Sequence, residues 1–238
     1  MVYSRIADSQ FVNSTLHTGA PHHTIMYIPK QFDEPRIEVL HELIRARPLS
    51  TLVTLSSGGI NANHIPLLLS AEAGPFGTLH GHVARANPVW QDFQKEVEVL
   101  AIFHGPEAYI TPNWYGTKAD TGKVVPTWNY AVAHAYGTLR IIDDASWLPA
   151  HLAALTAHNE AAFPAPWKFS DAPHEYTEKL IGALVGIEIV ITRLSGKWKV
   201  SQNQPAQNQA TVIEGLRAQG SEESLAMAAL VAAGKTKD

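Results

Sequence analysis

The sequence predicts a mainly β protein with flanking helices, an α+β chain organised around an antiparallel barrel. About six to eight segments carry strand periodicity with β-branched or aromatic residues, and short turns join most of them. Strands and helices do not alternate regularly along the chain, as a parallel sheet would require. Closing an antiparallel sheet into a barrel removes its exposed edges.

The first element is a helix over about Asp33 to Arg47. Asp33 suits its cap, Glu34 and Pro35 its first turn, and Pro48 its end. Ile37, Leu40, Leu43 and Ile44 form one apolar stripe, which marks a core-facing helix. The period then changes. Ser50 to Leu55 and Ile60 to Leu69 read as strands around Ser56-Ser57-Gly58-Gly59, and Thr78 to Val83 as a third. Asn87-Pro88 opens a short helix through Phe93. Val97 to Phe103 and Ala108 to Ile110 read as strands around a Gly105-Pro106 turn, followed by a polar loop at 116–124 and a long strand from Val125 to Ile142. Ser146 to Asn159 and His174 to Leu184 have helical patterns. Ile187 to Leu194 and Trp198 to Gln202 read as a hairpin across Ser195-Gly196-Lys197. Two helices follow, Ala206 to Ala218 and Ser221 to Ala233, with Gly220 between them and Glu222 and Glu223 at the second one's positive end.

This organisation gives a flexible arm at 1–25, a barrel domain at 26–205 with a helical insertion at about 146–184, and C-terminal helices at 206–238 packed on the barrel. The chain has 238 residues, 45% of them hydrophobic, enough for a sizeable core. A formal net charge of −4 disfavours wrapping by a polyanion, so direct DNA binding is doubtful. The absence of cysteine excludes disulfides, thiolate metal sites and cysteine nucleophiles, and fits a cytoplasmic setting. No apolar run reaches the roughly 20 residues of a membrane helix.

Four stretches carry chemical potential. In Gly81-His82-Val83-Ala84-Arg85-Ala86-Asn87-Pro88 a strand ends, a cation appears and a helix begins. That combination suits a phosphate, with Arg85 as a planar fork and the helix start supplying amides. A solvated arginine beside an ordinary Asn-Pro cap fits equally. His80 and His82 share a strand face, and with His64 or His104 they offer imidazoles for a metal, although no carboxylate completes a set. Pro112-Asn113-Trp114-Tyr115 and Pro126-Thr127-Trp128-Asn129-Tyr130 supply flat faces and amides for a planar heteroaromatic ligand; core or interface filling is the alternative. Lys199 and Gln202 end the last strand, within reach of an anion or in solvent. No Walker-type loop, dinucleotide fingerprint or Ser-His-Asp order stands out.

These stretches, with Met26-Tyr27-Ile28-Pro29-Lys30-Gln31-Phe32, Ala108 to Tyr115 and Lys199-Val200-Ser201-Gln202-Asn203, resemble the PaiB-like family of FMN-binding negative transcriptional regulators. The resemblance spans about residues 26–220. It implies an antiparallel Greek-key split β-barrel, an FMN cofactor, and a homodimer with flavin at or near the subunit interface in a bacterial cytoplasm. It places Arg85, Asn87 and His82 near the phosphate or ribityl chain, Thr127, Trp128 and Asn129 along the ring, and Lys199 and Gln202 on the closing hairpin, with Asn63 and His64 on the second strand. Gln204, and Asn208-Gln209, stand where the family usually has arginine and an Asp-Arg pair; Asn113 stands where it often has serine. Two other functions remain open: a flavin-dependent oxidoreductase using a nicotinamide donor, since flavin itself carries the redox chemistry, and a haem-binding split barrel.

Overall fold

The computed structural model describes residues 26–234; the expected arm at 1–25 lies outside the described residues. The framework is a seven-stranded antiparallel sheet in the order β2-β1-β5-β6-β7-β4-β3. The strands are β1 (Leu49–Ser56), β2 (Gly59–Pro66), β3 (Leu68–Ser70), β4 (Thr78–Ala84), β5 (Val99–Ile110), β6 (Thr127–Ile142) and β7 (Leu184–Lys199). β4 pairs with β7 and not with β5, so the chain crosses over between them.

Closure depends on a single bend. β2 and β3 are consecutive in sequence yet lie at opposite ends of the sheet order. The second predicted strand, Ile60 to Leu69, is therefore two strands that turn at Leu67, whose amide donates to the carbonyl of Pro48 (2.9 Å). The sheet must curl for one bent strand to serve both edges. Gly81 makes room at this corner: a Cβ there would sit 2.6 Å from Leu67 Cδ2 and 3.2 Å from the carbonyl of Pro66. The interior is filled by Leu52, Leu79, Phe103, Ile187, Ile189 and Ile191, each essentially without exposure.

The apolar stripe of α1 (Ile37–Ala46) packs into this core through Leu40, Leu43 and Ile44. The helix starts four residues later than expected. The Glu34 amide donates to the Gly196 carbonyl (3.1 Å) and Asp33 bridges Lys197, so these residues add to β7 instead of entering the helix. Asp33 is therefore not the cap; Glu34 Oε1 accepts from the Arg36 amide at 3.2 Å.

Two predicted turns are strand interior. The expected hairpin at Ser195-Gly196-Lys197 does not exist, because these residues pair with His134, Ala133 and Val132 inside one continuous β7. Gly196 is there for close approach: an added Cβ would collide with the Leu40 side chain. Likewise Gly105-Pro106 is an irregularity within one β5, where pairing shifts between His104 and Glu107. The polar loop at 116–124 contains a short helix, α2 (Lys118–Thr121).

Helices α3 (Leu148–Glu160) and α4 (His174–Gly182) lie between β6 and β7 in the chain. α5 (Ala206–Gln219) and α6 (Glu222–Gly234) form a second core, where Val212, Leu216, Met227 and Val231 meet Ala108, Ile110 and Tyr115. Trp198 packs against both cores. No helix among the described residues is long and apolar enough to cross a membrane.

Candidate functional site

The predicted site residues fall into two groups at opposite ends of the barrel. The first gathers where β4 ends. Asn87 accepts from the Val89 amide (3.0 Å) and so caps the 3-10 turn Pro88–Trp90, while its Nδ2 donates to Asn63 Oδ1 at 2.8 Å. Asn63 and Asn87 thus tie β2 to the end of β4. Arg85 points elsewhere. Its Nη2 and Nη1 donate to Asp143 at 2.6 and 3.3 Å, and it also donates to the carbonyls of Gly182 and Leu184. This pairing raises the arginine pKa and lowers that of Asp143, and the guanidinium lies 5.6 Å from the Trp90 ring centroid. Asp143, which reads locally as a helix-start signal, is the counter-charge of the predicted phosphate ligand.

His82 meets a residue that sequence reasoning missed. Its Nδ1 lies 3.1 Å from His151 Nε2 on α3, and His151 stacks on Trp147 with ring centroids 4.8 Å apart. Burial pushes the His82 pKa down. Burial first, and then the charges of His82 and His80, push His151 down to about 4. His80 is bound to Glu188 at 3.2 Å and touches Trp147 edge-on. His64, exposed on β2, hydrogen-bonds Thr51 (3.3 Å). Among the described residues no group of three or more His, Asp or Glu is placed to hold a metal ion, so the histidines do not converge on one.

The second group sits where β6 begins and β7 ends. Lys199 Nζ donates to Thr127 Oγ1 and to the Trp128 carbonyl (2.8 Å), and burial lowers its pKa. Trp128 stands 52% exposed with Tyr109, 47% exposed, against its edge at 5.8 Å. Lys197 lies 5.5 Å from the Tyr130 ring and 5.6 Å from the Tyr27 ring. Exposed rings beside two lysines form a platform on which a flat anionic ligand can stack. Strand alternation would have added Tyr130 and Lys197 to the predicted set, since each flanks a predicted residue by two positions.

Asn129 and Gln202 work inside the protein. Asn129 is buried and donates to Ser201 Oγ (2.9 Å), holding Ser201 at a left-handed φ of 64°. Gln202 accepts from the Val200 amide at 2.7 Å and donates to the Trp198 carbonyl, so it shapes the turn that ends β7. The Gln204 and Asn208 departures are one feature: Asn208 Nδ2 donates to Gln204 Oε1 (3.1 Å), an amide pair where arginine and aspartate would form an ion pair.

The second group fits a flavin better than the first. Trp128 and Tyr109 are open, Lys199 adjoins Trp128 and Lys197 lies by Tyr130 and Tyr27, whereas Arg85 would have to exchange Asp143 for phosphate. A barrel closed by one bent strand, with rings and lysines at one strand end, defines a split-barrel protein of the flavin-binding class. The family described as "Putative FMN-binding domain" matches residues 26–193. An uncharacterized protein of Emericella nidulans is 35% identical, covering 87% of this chain and 96% of its own. "Protease synthase and sporulation protein PAI 2" of Bacillus subtilis is 29% identical over the same shares, 87% and 96%. Of solved structures, the FAD and haem binding protein of Mycobacterium smegmatis superposes with a TM-score of 0.51 at 16% identity, covering 70% of this chain and 73% of that one. The flavocytochrome Anf3 of Azotobacter vinelandii gives 0.50 at 13%, covering 70% and 69%. The two structures share the fold. The chain belongs to the PaiB-like family of FMN-binding split-barrel proteins.

Proposed function

We propose that this protein binds FMN between two copies of itself, the ring on Trp128, Thr127 and Lys199 of one and the phosphate side near Asn63, His64, His82, Arg85 and Asn87 of the other. The separation of the two groups carries this reading. Gly186, the partner of His82, and Lys199 stand at opposite ends of β7. About 40 Å of strand contour separates them at roughly 3.3 Å per residue, far more than one flavin spans. A site using both His82 and Lys199 therefore needs a second subunit.

The outer sheet face supports the same reading. Thr51, Ile102, His134 and Ser195 form one cross-strand row, and Val53, Leu100, Tyr136 and Arg193 the next. Val53, Leu100 and Ile102 are only half-buried there, opposite in facing to the fully buried Leu52 and Ala101. Such a row is suited to packing against its own copy.

Bound flavin would supply hydride and electron chemistry. Trp128 would orient the ring, and Lys199 would place a cation beside its polar edge. The resemblance to negative transcriptional regulators favours a regulatory role in the cell, and the net charge of −4 favours an indirect route over direct DNA contact.

The test combines flavin titration with size measurement. Wild type should quench FMN fluorescence as a dimer. Ile102→Lys should give a folded monomer that no longer binds, and Trp128→Ala a dimer that binds at least about fivefold more weakly, since stacking is worth about 1–3 kcal/mol. A monomer that binds FMN at wild-type affinity would refute the composite site. The absorbance spectrum separates flavin from haem, and anaerobic NADH or NADPH shows whether bound flavin is reduced.

A further inference from the structure

The helical insertion between β6 and β7 carries a surface that the flavin contacts leave unused. Residues 143–183 hold six carboxylates and two lysines, Lys168 and Lys179, a formal charge of −4. The whole chain has that same net charge, so everything outside the insertion is formally neutral. The insertion is also apolar on its outside. Phe163, Trp167, Tyr176 and Leu180 are between 44% and 60% exposed. Tyr176 and Leu180 stand four apart on one face of α4, a helix that buries only Thr177. Beside Trp167 opens an apolar hollow of about 520 Å³, with Ala153, Ala157, Pro166 and Phe169 among its walls. Exposed apolar surface rimmed by charge marks a place where a protein docks.

Three features identify the partner. A surface of matching character lies at the platform end of the barrel, where Tyr27, Tyr109, Val125 and Trp128 are exposed. Lys197 and Lys199 there bond only neutral oxygens, those of Tyr27, Thr127 and Trp128. Next, the insertion is fixed on the outer sheet face. His151 bonds His82, and Trp147 packs beside Gly186, where an added Cβ would lie 2.7 Å from its ring. The insertion therefore borders the face whose row of Thr51, Ile102, His134 and Ser195 suits packing against a copy. Lastly, the insertion enters the start of β7, while the platform stands at its end. The composite flavin site joins the end of β7 in one copy to its start in the other. It thereby brings the insertion of each copy to the platform end of its mate.

We propose that the insertion of each copy docks on the platform end of a second copy. Glu175 and Glu178 face Lys197 and Lys199 of the second copy, and Tyr176, Leu180 and Trp167 lie against its exposed rings. This docking rests on the composite site proposed above and adds its outer wall. Both carboxylates are exposed on α4, and Glu178 meets only His174, at 3.5 Å. Opposite charges on the two surfaces favour this pairing, whereas two acidic insertions repel each other.

The experiment measures the dimer dissociation constant of the full chain without flavin, by sedimentation at low and high salt. Glu175→Lys with Glu178→Lys, and separately Tyr176→Ser with Leu180→Ser, should each weaken the dimer about tenfold, since every change enters twice across a two-fold axis. High salt should weaken the wild-type dimer and narrow its gap to the charge-reversed variant. Adding Lys197→Glu to the charge reversal should restore part of the affinity, which a folding defect would not allow. All four insertion positions are exposed, and urea unfolding equal to wild type confirms that both variants fold. A wild-type chain that stays monomeric would sink the composite site and this docking together. A wild-type dimer that Ile102→Lys disrupts, but that both insertion variants leave at full strength, would overturn the docking alone. So would a charge reversal that Lys197→Glu does nothing to relieve.

Discussion

Moving from pH 7.5 to pH 5 is expected to destabilise the fold through two imidazoles, and His151→Gln should remove about half of that loss. His151 is 5% exposed, wedged between Trp147 and His82, and its pKa is pushed down to about 4. His134 is half-buried with its Nδ1 3.2 Å from the Tyr136 hydroxyl; burial, and then the charge of His104, push it to about 4 as well. In an unfolded chain both titrate near 6.5. The fold accommodates the neutral ring, so this stability is whole above pH 6.5 and drains away as the pH falls toward 4. Linkage gives about 2 kcal/mol lost per group at pH 5, hence about 4 kcal/mol for the pair. His82 is depressed too and acts in the same direction. Glutamine at 151 keeps a polar partner for His82 without titrating. Urea unfolding at both pH values measures the difference, and equal losses in wild type and His151→Gln would refute the reasoning.

Other substitutions probe the barrel and the two groups of site residues. Asn129→Leu should cost about 1–3 kcal/mol in urea unfolding, because it strands the buried Ser201 hydroxyl and releases the left-handed turn after β7. Gly81→Ala should cost a similar ~1–3 kcal/mol through the clash with Leu67 at the corner between β2 and β3, measured the same way. Asp143→Asn frees the Arg85 fork; fluorescence titration should then show tighter FMN binding, and unchanged or weaker binding would remove Arg85 from the phosphate contacts.

Much of the secondary structure could be read locally. The stripe of α1, the turn at Ser57-Gly58, the Asn87-Pro88 cap and both C-terminal helices follow from periodicity and terminal residues. The errors share one cause. Gly196 and Gly105-Pro106 look like turns along the chain, but at Gly196 the absence of a side chain admits Leu40 from α1. Asp33 and Glu34 look like a helix start, but β7 claims them. In each case a partner remote in sequence outweighed a local preference.

Site legibility followed the same division. Thr127, Trp128 and Lys199 come together as their strand positions imply, because β6 and β7 are directly paired there. Asn129 and Gln202 belong to the same short motifs, and their amides hold the turn that ends β7, which strand positions alone do not reveal. Arg85 with Asp143 and His82 with His151 were not legible, since 58 and 69 residues separate the members of each pair.

The amino-acid order alone determined the antiparallel β framework, the flanking helices and the short aromatic and basic motifs, because alternation, capping and turn chemistry act between near neighbours. Only the tertiary structure decided which charges are already satisfied, which rings stand open, and that the two groups of motif residues lie at opposite ends of one strand. Those outcomes depend on register and on the bend at Leu67, which arise when distant strands meet around a shared core.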